Sequence, residues 1–352
     1  MMRRILFLIT VLSTLMAVQA QDIHFSQYYA SPLTLNPANT GMVNGDFRAT
    51  VNYRGQWFTL PVTNSIATYN TYQASFDMDV LRKKRIGTGL GIGAMFYADE
   101  AGNGSLATYS GMANLAVHQT VDRYQRSRIS LGFQVGFVQK RIFEHDLLFE
   151  EQFDAGLNSF NPFLDNGEDG FNEGKFTYLD VNIGGMFTSK ATDNFAYYLG
   201  FATNHVNRPG ESFLGSGNKL DMRYTFHGGA RIQFKNNEQF RMLPTVLYMM
   251  QTNAQQFNIG SGFEYEFSDN FTGFAGVFDR VVGDVNGFEN DAVILTVGAE
   301  TYNVRIGASY DMNTSSLKNA TNTSGGFELS VIYIHNKQDE KSRSRYGFCP
   351  TF

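Results

Sequence analysis

The sequence predicts an all-β fold: a closed antiparallel transmembrane β-barrel of about fourteen strands, preceded by an N-terminal segment that is either luminal or periplasmic. Three observations predict it. Apolar residues alternate with polar or small ones at a period of two through most of the chain, which is the pattern of strands with two unlike faces. The connections alternate between brief and long, as the two ends of an outer-membrane barrel do. The composition is rich in glycine (35 residues) and aromatics (14%) and poor in charge (17%) and proline (7 residues), which excludes a disordered chain.

The chain opens with Arg3 and Arg4, an apolar run from Ile5 to Ala17, and the small-residue end Val18-Gln19-Ala20. That is the pattern of a secretory signal peptide cleaved after Ala20. The run is too short for the roughly 20 apolar residues of a membrane-spanning helix. The expected organisation is therefore a signal peptide over 1–20, a plug-like segment over 21–45, a barrel over 46–335 and a tail over 336–352. The expected location is the outer membrane, in contact with its lipid.

Asp22 to Asn44 is too apolar for a free arm and too irregular for a strand. Asn36, Pro37 and Gly41 read as an N-cap, a first-turn proline and a terminating glycine around a single helical turn. Strands are expected near 46–54, 68–80, 85–97, 106–121, 128–139, 176–189, 195–204, 222–234, 240–252, 255–267, 271–279, 291–301, 303–311 and 326–335. In the third, Thr88, Leu90, Ile92, Ala94 and Phe96 face one side and Gly87, Gly89, Gly91 and Gly93 the other. A soluble β-sandwich shares such alternation but gives no reason for loop lengths to alternate or for strands longer than about 5 to 6 residues. The connections Leu81–Lys84, Asp122–Ser127, Lys190–Asn194, Lys235–Gln239, Ser268–Asn270 and Tyr302 are brief and expected in the periplasm, where the N-terminus is also expected. Gly55–Ala67, Ala98–Ser105, Lys140–Lys175, His205–Asp221, Arg280–Asn290 and Met312–Gly325 are the outer loops, and Asn253–Ala254 breaks the rule.

Fourteen strands enclose a lumen wider than the eight-stranded size that side chains fill. Inward glycines such as Gly91 let another stretch of backbone come close. One reading puts residues 22–44 in the lumen as a plug against that stripe; the other leaves the segment in the periplasm and the glycines to ease curvature. Arg48, Arg54, Arg223, Arg231, Glu264, Glu266, Glu300 and Arg305 fall on the inner face, either pairing across the lumen or with a plug, or lining a selective pore.

Catalytic and metal signatures are missing. The six histidines show no HExxH or other ligand spacing, and no serine nucleophile elbow is present. Gly89-Leu-Gly-Ile-Gly-Ala94 lies in a strand with no helix after it, so the dinucleotide reading fails. Cys349, the only cysteine, excludes an intramolecular disulfide. Neither enzymatic activity nor a cofactor is expected, and the net charge of −5 argues against nucleic acid. The loop Lys140–Lys175 is acidic and aromatic, and Phe149, Phe153, Phe160 and Phe163 are expected either to cover the barrel mouth or to dock a partner. Phe25, Gln27, Tyr28, Asn36, Pro37 and Gly41 are the corresponding plug or partner candidates.

The stretch Asp22-Ile-His-Phe-Ser-Gln-Tyr-Tyr-Ala-Ser-Pro-Leu-Thr-Leu-Asn-Pro-Ala-Asn-Thr-Gly41, with Tyr53-Arg54-Gly-Gln-Trp57 and Cys349-Pro350-Thr-Phe352, resembles the PorP/SprF family of type IX secretion outer-membrane proteins of Bacteroidota. The resemblance spans essentially the whole chain after residue 20. It implies an accessory that binds, delivers or retains secreted cargo with a C-terminal sorting domain, such as gliding adhesins, beside other secretion components and without catalysis. The alternative is a channel or transporter for a small or hydrophobic solute. The Asn-Pro-Ala turn also resembles that of fatty-acid transporter barrels, whose N-terminal segment plugs the lumen.

Overall fold

A computed structural model of the chain describes residues 22–56, 61–62, 65–66, 69–81, 87–101, 106–124, 126–142, 153–154, 159–161, 164, 174–213, 217–284, 287–315 and 324–335. The expected signal peptide, the tail with Cys349, and Phe149 and Phe163 lie outside the described residues.

Fourteen strands form one closed barrel. They are β1 (Phe47–Gln56), β2 (Tyr69–Asp79), β3 (Thr88–Ala101), β4 (Leu106–Thr120), β5 (Ser127–Ile142), β6 (Lys175–Lys190), β7 (Phe195–Asn204), β8 (Arg223–Phe234), β9 (Asn237–Gln251), β10 (Ala254–Ser268), β11 (Phe271–Asp284), β12 (Gly287–Thr301), β13 (Val304–Asn313) and β14 (Ser324–His335). Each strand pairs antiparallel with its neighbours in sequence. β14 returns to β1, with Phe47 opposite His335 and Gln56 opposite Gly326. Two further ladders of two residues per arm, 61–62 with 65–66 and 153–154 with 159–160, stand apart from the barrel.

The two faces separate as the period predicts. In β1, Arg48, Thr50, Asn52 and Arg54 are buried while Val51 between them is exposed. Leu131, Phe133 and Phe137 of β5 are exposed, and Ser130 and Gln134 are buried. The barrel is thus apolar outside and polar inside, the inverse of a soluble protein and the arrangement lipid requires. Strand lengths of 10 to 16 residues suit tilted crossings of a bilayer, which need about 9 to 11 residues.

Two expectations need correction. The ladder of β11 and β12 runs through most of the connection expected from Arg280 to Asn290, reaching Asp284 opposite Gly287 after a register shift at Arg280/Val281. The Ala98–Ser105 loop likewise shrinks to residues 102–105. Turn-favouring residue types such as Asp and Asn do not reveal how far a hairpin ladder extends before them.

On the lipid face, Leu131→Arg should destabilise the barrel by about 2–4 kcal/mol. Reversible urea unfolding in vesicles, followed by tryptic protection, measures this.

Candidate functional site

The lumen is where the sequence departs from a plain barrel. Residues 23–44 enter it as three short helical pieces, Tyr28–Ala30, Pro32–Leu35 and Pro37–Asn39. Nearly all of their side chains are buried, Leu33, Asn36, Ala38 and Thr40 completely. Such irregular backbone leaves N–H and C=O groups that no water can reach, and each unpaired group is costly.

The wall supplies the missing partners. Asn52 donates to Ala30 O (3.1 Å), Gln134 to Leu33 O (3.2 Å) and Arg48 to Asn39 O (3.2 Å). His118 Nε2 lies 2.8 Å from Thr40 O; a carbonyl only accepts, so this nitrogen carries the proton. Carboxylates serve the donors. Glu328 accepts from Ser26 N (2.6 Å) and Gln27 N (2.8 Å), and Asp77 accepts from Gly41 N (2.7 Å).

Three ionic clusters anchor these contacts. In the first, Arg54 pairs with Glu328 and with Asp311 (3.1 Å), while Arg280 pairs with Asp311 (2.9 Å) and Asp291 (2.6 Å). Ser26 Oγ sits among them, accepting from both arginines and donating to Asp311 (2.7 Å). In the second, Arg48 holds Asp77 through two nitrogens (2.9 and 2.8 Å). In the third, Asp22 meets His205 Nε2 (2.6 Å) and Arg223 Nη1 (3.2 Å), and His205 Nδ1 meets Asp180 (2.8 Å).

Glycines provide the close approach. A Cβ on Gly91 would overlap the Thr40 carbonyl, one on Gly132 the Pro37–Ala38 peptide, and one on Gly184 the Asn36 side chain. Asn36 caps the turn as its position suggests, accepting from Ala38 N (2.9 Å), and its amide donates to Gly185 O and Phe201 O and meets His227. Gly41 closes the segment at φ 73°, a left-handed conformation that glycine adopts without penalty.

The predicted residues therefore divide. Phe25, Gln27, Tyr28, Asn36, Pro37 and Gly41 come together in the lumen, where Gln27 also bonds Ser309 and Ser330 and Tyr28 OH donates to Thr245. Phe153 is 42% exposed and its backbone pairs with that of Phe160 on the separate small ladder. Of the inner-face charges, Arg305 pairs with Glu264 and Glu300, and Arg241 pairs with Glu264 and Glu266; Arg305 also lies 3.9 Å over the Phe274 ring. Sequence reasoning missed Asp77, Asp180, His205, Arg280, Asp311 and Glu328. Several of these lie at inward positions of the period-2 pattern, where an isolated charge was the available signal.

The direction of the segment is also corrected. β1 begins at the short-turn end, as expected, but Asp22 lies against His205 and Asp180 at the long-loop end. The chain thus runs down the lumen before it turns up into β1, because the ionic partners of Asp22 stand at that far end.

A closed barrel with an apolar exterior, a polar interior and a wall that satisfies an internal segment defines an outer-membrane β-barrel protein. The family described as type IX secretion system membrane protein PorP/SprF matches residues 17–333, and the chain belongs to it. No curated protein sequence matches the chain. Among solved structures it is similar to a deletion mutant of the TodX monoaromatic hydrocarbon channel, with a TM-score of 0.54 and 12% identity over 88% of this chain and 94% of that one. It is also similar to the toluene transporter TbuX of Ralstonia pickettii, with a TM-score of 0.51 and 13% identity over 88% and 94% of the two chains. At such identities the likeness shows the fold. No group of three or more metal-binding side chains occurs among the described residues.

Outside the spanning strands, burial alone would lower the pKa of His205, but the Asp22 and Asp180 carboxylates raise it to about 9. Burial acts against the Asp22 carboxylate too, and the His205 and Arg223 charges hold it well below the usual range. Because the folded-state pKa of His205 lies above its unfolded value, the clamp contributes fully below about pH 6.5 and is lost as pH rises through about 9. Protease protection of residues 22–27 should therefore fall between pH 8 and pH 10 in the native protein and stay flat in His205→Gln. Arg54→Met, which removes the buried ionic partner of Glu328 and leaves Asp311 to Arg280, should cost about 3–5 kcal/mol, measured by urea unfolding.

Proposed function

We propose that this chain is an accessory of type IX secretion that binds, delivers or retains secreted cargo with a C-terminal sorting domain at the outer surface, together with other secretion components. It acts through contacts at the barrel ends, without catalysis and without conducting solute. The observation that carries this reading is the wall-to-segment bonding, from Asp22 at the long-loop end to Gly41 on Asp77 near the short-turn end. A lumen bonded along its length leaves the outer loops as the surfaces that work, Phe153 among them. The family supports the secretion role.

The solute-channel reading draws on barrels of the same fold that are described as hydrocarbon channels. It requires a path that the bonded segment obstructs.

Deleting the gene should release a cargo protein with a C-terminal sorting domain from the cell surface into the medium, and the intact gene should restore retention. Phe153→Ser should weaken retention while the heat-modifiable barrel band persists. Purified protein in planar bilayers should show no steady open conductance. Unchanged retention together with sustained conductance would replace the proposal with the channel reading.

A further inference from the structure

The outer connection between β7 and β8 is built unlike the others. β6 pairs with β5 along nearly its whole length but with β7 only from Ile183 onward. Beside residues 175–182 the wall is completed by the loop, not by a strand. Val206 N donates to Val181 O, Asn207 Oδ1 accepts from Val181 N, and Asn207 Nδ2 donates to Leu179 O. Two non-glycine residues of this turn take left-handed conformations, His205 (φ 58°) and Arg208 (φ 44°), a strain that persists only while surrounding contacts impose it.

The described part of the loop is a unit. Glu211 N bonds Asn218 O, Leu220 N bonds Pro209 O, and Gly210 bridges Lys219. Glu211 pairs with Lys140 of β5, and Phe213 packs edge-on against Phe176 of β6 at 4.6 Å. On its other side, Asp221 takes hydrogen bonds from Gln251 and Thr252 at the β9 tip.

Both stems of this loop grip the same luminal carboxylate. His205, directly after β7, and Arg223, the first residue of β8, meet the single atom Asp22 Oδ2, and Arg223 also reaches Ile23 O. Lifting either stem separates that pair.

We propose that the loop between His205 and Arg223 is the handle of the luminal segment: an outside contact that shifts the loop frees residues 22–31 from the lumen while 36–41 stay seated. The inference rests on the segment closing the lumen and does not require that cargo be the outside contact.

Most of the wall's ion pairs survive departure of the upper part. Without Asp22, His205 keeps Asp180; without Ser26 and Gln27, Arg54 and Arg280 keep Asp311, Glu328 and Asp291. Of these wall charges only Arg223 loses both its partners, Asp22 and Ile23 O, so the cost of stranding a buried ion falls at the loop stem and not along the rest of the wall. Residues 36–41 differ. Side-chain bonds also hold Gln27, Tyr28 and Ala30, but only 36–41 are enclosed by Gly91, Gly132 and Gly184 with backbone against backbone, so the boundary between moving and fixed parts falls in the helical turn Pro32–Leu35.

Amide hydrogen exchange of the full chain in lipid vesicles tests this, comparing Ser26 and Gln27 with Ala38 and Gly41. Asn207→Ala loosens the loop from β6 without touching Asp22, and Phe213→Ala loosens it at a second point. Each should speed exchange at 26 and 27 by about tenfold or more and leave 38 and 41 at the native rate, the pattern of a local opening. Asp22→Asn should give the same pattern. If the two loop variants leave 26 and 27 unchanged while Asp22→Asn speeds them, the loop does not transmit and the proposal fails. It fails equally if 38 and 41 accelerate with 26 and 27, since the segment then moves as one body. Loss of cargo retention is a separate readout, so the outcome here does not depend on that reading.

Discussion

Backbone amides in hydrocarbon have no water to bond, so a sheet that crosses a membrane must close on itself. Here closure is made by β1 against β14, ten residue pairs from Phe47–His335 to Gln56–Gly326. Most other features follow from it. Closing fourteen strands leaves a lumen too wide for wall side chains alone, and the chain places its own N-terminal segment inside it. That segment is irregular, so its peptide groups meet the same requirement a second time, now satisfied by side chains: Asn52, Gln134, Arg48 and His118 for carbonyls, Glu328 and Asp77 for amides.

The inner wall is therefore a polar surface shaped to one peptide. Its charges are mutually compensated, Arg54 and Arg280 with Asp311, Glu328 and Asp291, and Arg48 with Asp77. The segment adds hydrogen bonds to these clusters and, through Asp22, supplies the carboxylate that Arg223 and His205 meet. Around Asn36–Gly41 glycines let backbone meet backbone, whereas Asp22 and Ser26–Gln27 are held by side chains of the wall.

Much of the fold was legible because its determinants are local. Period-2 alternation over Ile129–Phe137 or Tyr224–Phe234 places each residue inside or outside without knowledge of its neighbours. The Asn36-Pro37 cap and Gly41 were legible for the same reason, since caps and left-handed turns depend on a few consecutive residues. The glycine stripe of β3 signalled a close approach. Equivalent seats at Gly132 and Gly184 did not stand out, because a single small residue in a strand has many uses. The reach of the β11–β12 hairpin was also hidden, since nothing in Asp284 to Gly287 distinguishes a tip beyond the lipid from a loop within it.

By itself the sequence determined the strand count, the facing of each strand residue and the presence of a compact segment before β1, because these rest on periodicity and neighbouring residues. Tertiary structure alone decided where that segment goes and what grips it. Glu328 and Ser26 are some three hundred positions apart, as are Gln27 and Ser330, and His205 reaches Asp22 only because β7 ends short of β6. Contacts of that kind arise from closure of the sheet, which brings the two ends of the chain to one wall, and no local pattern encodes them.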